Sequence, residues 1–173
     1  RDKNIYDIEE GGAKFADKLS KYDVERDVIS RKIAYYDFLK NYLNQSVDFA
    51  KLPAPTVAGI EDPNIIGNVT RLIELSTQRA ELKYAVKNEK MFQEFDNQMQ
   101  SIKRVLLENI SSAKTSLRYD LNKINANISQ AESSIKKMPQ EQQELIDIKR
   151  KYDLNSNIYN DLLAKRSQAD IVK

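Results

Sequence analysis

Between residues 89 and 138 apolar side chains recur without a gap at Phe92, Phe95, Met99, Ile102, Leu106, Ile110, Ala113, Leu117, Leu121, Ile124, Ile128, Ala131, Ile135 and Met138. Steps of three and four residues put all of them on one helical stripe. The order of steps is 3-4-3, then 4-4-3 twice, then 4-3-4-3. Two eleven-residue blocks in the middle relax the left-handed supercoil of a heptad helix and keep it nearly straight. Such a helix is a rod of about 75 Å, and a rod that long needs a partner along its length. The predicted fold class is therefore all-α: elongated antiparallel helical hairpins or a coiled-coil bundle with one helix of about 50 residues.

Composition agrees, since four Gly and four Pro in 173 residues are few, while Lys, Glu, Gln, Asn, Leu and Ile are plentiful. The breakers that do occur are grouped. Three of the four prolines lie in "KLPAPTVAGIEDPNII", residues 51–66, and the fourth is Pro139. The chain is expected to form a single helical domain: a helix over 1–46, a Pro/Gly crossover over 47–62, helices over 63–87 and 89–138, and a return helix over 139–173. The first helix carries a seam at Ile5, Ile8, Phe15, Leu19, Tyr22, Ile29, Ile33, Tyr36 and Leu43, with Gly12, Arg26 and Lys40 at the remaining positions. Gly11-Gly12 weakens its start, each Gly costing about 1 kcal/mol against Ala. Pro53 and Pro55 stop it by lacking the ladder N–H. Asp62 is the predicted N-cap and Pro63 the first residue of the second helix, which buries Ile66, Val69, Ile73 and Ala80, flanked by Leu72, Leu75 and Leu82.

Pro139 ends the long helix and is predicted to open the return helix at its first position, followed by Glu141 and Glu144 against the helix dipole. The return seam reads Leu145, Ile148, Tyr152, Asn155, Tyr159, Leu162, Arg166 and Ala169. Folding it back about Met138 pairs Ile128 with Ile148, Ile124 with Tyr152 and Leu117 with Tyr159. Asn155 and Arg166 are the polar members of this seam; they either fix its register or sit at its edge.

No chemistry-bearing constellation emerges. There is no His and no Cys, which removes the usual neutral-pH base, a Ser-His-Asp triad and thiolate or imidazole metal sites. No phosphate-binding loop is present. Carboxylate pairs such as Glu9-Glu10 and Glu61-Asp62 read as solvated or capping charges. A net charge of +2, from 28 basic and 26 acidic residues, comes without a basic cluster and argues against nucleic acid or a polybasic membrane patch. No apolar run approaches the ~20 residues of a membrane span. The tyrosines fall at helical spacing and read as core, not as sugar-stacking platforms. Sites of the form N-x-[ST] occur at Asn44, Asn68, Asn109 and Asn127 and carry no weight in an Asn- and Ser-rich chain. The chain starts at Arg1, not Met, and reads as a piece of a longer protein.

Two stretches carry a resemblance. Residues 42–82, "YLNQSVDFAKLPAPTVAGIEDPNIIGNVTRLIELSTQRAEL", are similar to the periplasmic helical region of bacterial polysaccharide co-polymerases, the chain-length determinant family, especially those fused to a tyrosine autokinase. The matching residues are Leu52, Pro53, Gly59, Asp62, Pro63, Leu72, Ile73, Leu75 and Arg79. Residues 139–169 resemble that family's segment after the long helix through Pro139, Glu144, Arg150, Tyr159, Leu162, Leu163, Lys165, Arg166 and Ala169. The chain departs from the family pattern at Glu89-Lys90, where Asn-Pro is common, and at Gln142, where Glu is common.

The resemblance implies a structural and interaction module: the periplasmic arm of an inner-membrane protein that sets polysaccharide chain length and export. Its implied partners are further copies of itself, polymerase and export components, and polysaccharide. It implies no cofactor, no metal and no catalysis within this segment; a membrane anchor and a cytoplasmic kinase domain would lie in the parent protein. The structural residues singled out are Pro53, Pro55, Gly59, Asp62, Pro63, Pro139, Arg150, Asn155, Tyr159 and Arg166. The alternatives are the hairpin of a periplasmic efflux or secretion adaptor, and a cytoplasmic coiled-coil scaffold.

Overall fold

A computed structural model of the chain describes residues 2–85 and 88–171. It is all-α: α1 (Asp2–Gln45), a 3-10 turn (Pro55–Ala58), α2 (Pro63–Ala85), α3 (Glu89–Ile135) and α4 (Gln140–Ile171), with no strand among the described residues. The side chains of Ile5, Ile8 and Ala169 lie outside the described residues, as does the predicted end of the second helix at Lys87. α1 runs through Gly11-Gly12 without interruption. α3 ends at Ile135, three residues early. Residues 136–138 turn instead, with the Met138 N–H donating to the Ile135 carbonyl at 2.8 Å, because the chain has to reverse before Pro139.

The chain divides into two compact units, one of residues 30–118 and one that joins residues up to 29 with those from 119 onward. In the 30–118 unit, Tyr36, Leu39 and Leu43 of α1 pack with Ile65, Val69, Leu72 and Leu75 of α2 and Met99, Leu106 and Ile110 of α3. The crossover adds Phe49, Leu52 and Ile60 to the same core. Burying each such side chain contributes about 1.5–3 kcal/mol. In the other unit Ala16 and Leu19 of α1, Ile124, Ile128, Ala131 and Ile135 of α3, and Ile146 of α4 form the core.

Every predicted seam position of the long helix, Phe92 through Met138, is buried or half-buried. The flanking helices differ from expectation by a rotation. On α1, Ala16, Ser20, Asp23 and Leu39 are buried beside the expected Leu19, Tyr36 and Leu43, because a helix wedged between two neighbours buries more than a two-per-heptad line. On α2 the centre of the buried face is Ile65, Val69, Leu72, Leu75 and Ser76; Ile66 and Ile73 flank it and Ala80 is exposed.

The largest correction is on α4. The predicted seam points outward: Leu145, Ile148, Tyr152, Tyr159 and Leu162 are all more than half exposed, and Asn155 and Arg166 are exposed as well. Ile148, Tyr152 and Tyr159, expected to be buried against Ile128, Ile124 and Leu117, are exposed. Ile146 is buried instead, and Arg150, Asp153, Leu154 and Ile158 are half-buried.

Candidate functional site

The crossover is built from the residues that break helices. The α1 ladder closes with the Ser46 N–H on the Tyr42 carbonyl at 2.9 Å. The next residues are held from both sides. Tyr42 Oη donates to the Asp48 carbonyl at 3.0 Å, and Tyr35 Oη donates to the Pro53 carbonyl at 2.9 Å. From α2, Ser76 Oγ accepts the Phe49 N–H at 2.9 Å and donates to Asp48 Oδ1 at 3.1 Å. Asp48 Oδ1 also accepts the Ala50 N–H at 3.0 Å. These donors, Ala50 N–H first and the Ser76 hydroxyl second, hold the Asp48 carboxyl below its ordinary 3.8. Burial, with Tyr36 second, pushes the Tyr35 phenol well above 10.0.

Pro55 is buried and starts the 3-10 turn, where its missing N–H leaves nothing unsatisfied. Gly59 ends the turn at φ 75° and donates to the Thr56 carbonyl at 3.0 Å. A β-carbon there would meet only Lys32 Cε at 3.9 Å, so it is the left-handed backbone, not space, that calls for glycine. Asp62 caps α2 as predicted. Its Oδ1 accepts the N–H groups of Asn64 at 2.8 Å and Ile65 at 3.3 Å, and Pro63 is the first helical residue. Pro53 is exposed and contributes only its carbonyl.

At the far end of α2, Arg79 Nε and Nη2 grip the two oxygens of Asp96 at 2.6 and 3.0 Å. The same guanidinium lies 5.3 Å from the centre of the Phe92 ring. Asn88 Oδ1 accepts the Met91 N–H at 3.3 Å and so caps α3. Lys114, largely buried, pairs with Asp37 and links α3 to α1 within the 30–118 unit.

In the other unit Arg150 is the centre of an ionic latch. Its Nε and Nη2 reach Asp23 Oδ2 and Oδ1 at 2.8 and 3.1 Å, while Nη1 reaches Glu132 Oε1 at 3.2 Å. One side chain of α4 thus ties α1 and α3. Asp23 is 4% exposed and also accepts from Arg26 at 3.1 Å. Asp23 first, then Glu132, raises the Arg150 pKa against the effect of burial. One residue earlier, Lys149 Nζ bridges Asp17 and Asp153, both at 2.9 Å. Lys149 holds the Asp153 carboxyl below 3.8. Pro139 stands just before α4, not at its first helical position, and its carbonyl accepts the N–H groups of Gln142 at 3.1 Å and Gln143 at 3.2 Å.

Of the residues singled out from sequence, Pro53, Pro55, Gly59, Asp62 and Pro63 come together in the crossover and Arg150 forms the latch. Asn155, Tyr159 and Arg166 lie on the exposed face of α4 and share no site with them. Tyr152 and Tyr159 are accordingly not core residues, contrary to expectation. Asp23, Asp48 and Ser76 were missed. A signal existed: Asp23 continues the Ala16-Leu19 spacing by four, and Ser76 continues Val69-Leu72 likewise.

These groups join helices to one another; they do not converge on a reactive atom. Among the described residues no group of three or more acidic, His or Cys side chains is placed to hold a metal, and no helix is long and apolar enough to cross a membrane. An apolar groove of about 510 Å³ runs between Gly12-Ala16 of α1 and Leu145, Ile148 and Tyr152 of α4. Comparison of the chain with protein-family models, curated proteins and solved structures finds no match.

Proposed function

We propose that this chain is a non-catalytic helical arm of a polysaccharide co-polymerase, the periplasmic portion of an inner-membrane protein that sets the length of an exported polysaccharide. The observation that supports it is the crossover. Several of the residues that carry the family resemblance between 42 and 82 shape this connection: Leu52 in its core, Gly59 in the left-handed turn, Asp62-Pro63 at the restart and Leu72 in the same core. A plain helical hairpin needs only a short loop; an anchored 3-10 crossover is a more particular construction. Arg150, one of the residues that carry the second stretch of resemblance, ties α4 to α1. In this reading the arm works by rigid presentation of helix faces to further copies, to polymerase and export components, and to polysaccharide.

The test is made in the intact parent protein. Replacing Gly59 by Val and Asp62 by Ala together disrupts the crossover, and deleting residues 89–173 removes the arm beyond it. Expected is a shifted polysaccharide length distribution on gels at normal protein abundance. An unchanged distribution and export level in the deletion overturns the reading.

A further inference from the structure

The apolar groove between α1 and α4 lies wholly within the unit that joins residues up to 29 with those from 119 onward. Its floor is made of small residues. Ala16 is 2% exposed, and a β-carbon on Gly12 would meet nothing within 4 Å, so the trough is open space and not a packed helix contact. Leu145, Ile148 and Tyr152 form its wall and keep 65, 65 and 71% of their surface exposed. Water in a trough of this composition finds few polar partners, and an apolar group that displaces it gains. The volume of about 510 Å³ is within the usual range of a small-molecule site.

Further along the same helix pair a polar trough of about 670 Å³ follows, with Glu25, Ser156, Asn157 and Asn160 among its walls. Lys149 lines both troughs, and its ammonium bridges Asp17 and Asp153 at 2.9 Å. Ser20 also lines the polar trough. It is 6% exposed, and its Oγ has no hydrogen-bond partner among the described residues. A buried hydroxyl left unsatisfied is costly, and a polar group entering from the trough would remove that cost.

We propose that the two troughs together bind a single-chain amphiphile with an uncharged, hydroxylated head. The alkyl chain lies over Gly12 and Ala16 against Ile148 and Tyr152, and the head meets Ser20, Asn157 and Asn160. Charge selects the head. Lys149 is already held by two carboxylates and Glu25 adds another, so an anionic head meets more repulsion than attraction, while a cationic head has to displace Lys149. Hydroxyl groups donate to and accept from side-chain amides and Ser20 without disturbing those ion pairs. Width selects the chain. A partner helix, about 10 Å across, would rest on the wall and leave the Gly12 floor empty, whereas one alkyl chain enters it. The site is built from this chain's own residues and does not rest on the polysaccharide reading.

Titration calorimetry of the full chain tests the proposal, with decyl glucoside, octyl glucoside, decanoate, decyltrimethylammonium and free glucose, all below the concentrations at which micelles form. Saturable one-to-one binding of decyl glucoside is expected. Octyl glucoside should bind about three- to tenfold more weakly for the two methylenes removed, the charged amphiphiles at least tenfold more weakly, and glucose without measurable heat. Gly12→Leu should abolish binding with helix content and thermal midpoint retained or raised, since its side chain enters the open floor in place of the alkyl chain. Ala13→Trp, at an exposed position of the same groove, provides a second plug. Ser20→Ala should weaken decyl glucoside about fivefold without lowering the thermal midpoint, because the hydroxyl it removes is unpaired. Absence of saturable binding, binding that survives both plugs or is indifferent to Ser20→Ala, or equal affinity for a charged amphiphile or for glucose overturns the proposal. So does an affinity that falls as protein concentration rises, the mark of a second copy filling the groove.

Discussion

The two units solve the same problem, three helices around one core, with different materials. In the 30–118 unit large aliphatic side chains fill the centre: Leu39, Leu43, Ile65, Leu72, Leu75 and Leu106 are essentially inaccessible. Polar contacts such as Ser76 on Phe49 and Lys114 on Asp37 sit around that core. In the other unit α1 contributes Ala16 and Leu19, α3 contributes Ile124, Ile128, Ala131 and Ile135, and α4 contributes only Ile146; Arg150 and Asp23 are buried beside them, with Glu132 at the rim. Apolar packing is non-directional and tolerates rotation of a helix, whereas a guanidinium gripping a buried carboxylate fixes one orientation. The aliphatic unit draws its stability from burial; the latched unit uses charge to decide which face of α4 stays outside.

That contrast is most easily broken in the aliphatic core. Leu72→Ala removes a fully buried side chain and should cost about 3–4 kcal/mol. Ile148→Ala, at 65% exposure, should change the stability of the monomer by less than about 0.5 kcal/mol. Chemical denaturation of the two variants checks the difference; comparable losses would mean that the α4 stripe is core after all. Next in size is the latch. Arg150→Ala leaves the buried Asp23 carboxylate with Arg26, itself 42% exposed at the side chain, and should cost about 2–3 kcal/mol. The double variant with Asp23→Leu should recover much of it, since no charge is then stranded. Hydrogen exchange should rise in α4 and leave α2 unchanged; a uniform rise would erase the distinction between the units.

How much of this could be read from the residues depended on what filled each seam. The long helix was legible throughout because its stripe is apolar at every step and the helix packs by that stripe in both units. Asp62-Pro63 was legible because capping is local: the Asp oxygen and the N–H groups it accepts from are two and three residues apart. α4 was misread for a physical reason. Hydrophobic periodicity identifies the face of a helix that avoids water, and it does not say whether that face meets its own chain. The inward face is set by Arg150 meeting Asp23, 127 residues earlier in sequence, and a pairing between oppositely charged residues at such separation leaves no periodic trace. The same holds for Ser76, whose partners Asp48 and Phe49 lie across the crossover.

The smallest expected effect separates the units by pH. In the latched unit the Asp153 carboxyl lies below 3.8 when folded, held by Lys149. A lowered folded value contributes stability that is present above the unfolded value and lost as pH falls through the folded one. In the aliphatic unit Tyr35 and Tyr36 lie above 10.0, both chiefly through burial. Raised folded values contribute stability that is complete below pH 10 and lost as pH climbs toward the folded values. Asp48 also gives the crossover an acid limb, and Lys149, raised above 10.5 by Asp17 and Asp153, gives α4 an alkaline one. Both arise from solvent-screened pairs and should be slight. Exchange rates, corrected for their intrinsic pH dependence, should therefore rise in the crossover and α2 above pH 10, and Tyr35→Phe should flatten that rise. Below pH 4 protection of α4 and its α1 neighbours should weaken, and Asp153→Asn should remove part of the slope. An alkaline limb undiminished by Tyr35→Phe would show that the loss of structure at high pH originates outside the buried phenol, and with it that the aliphatic core does not control that limb.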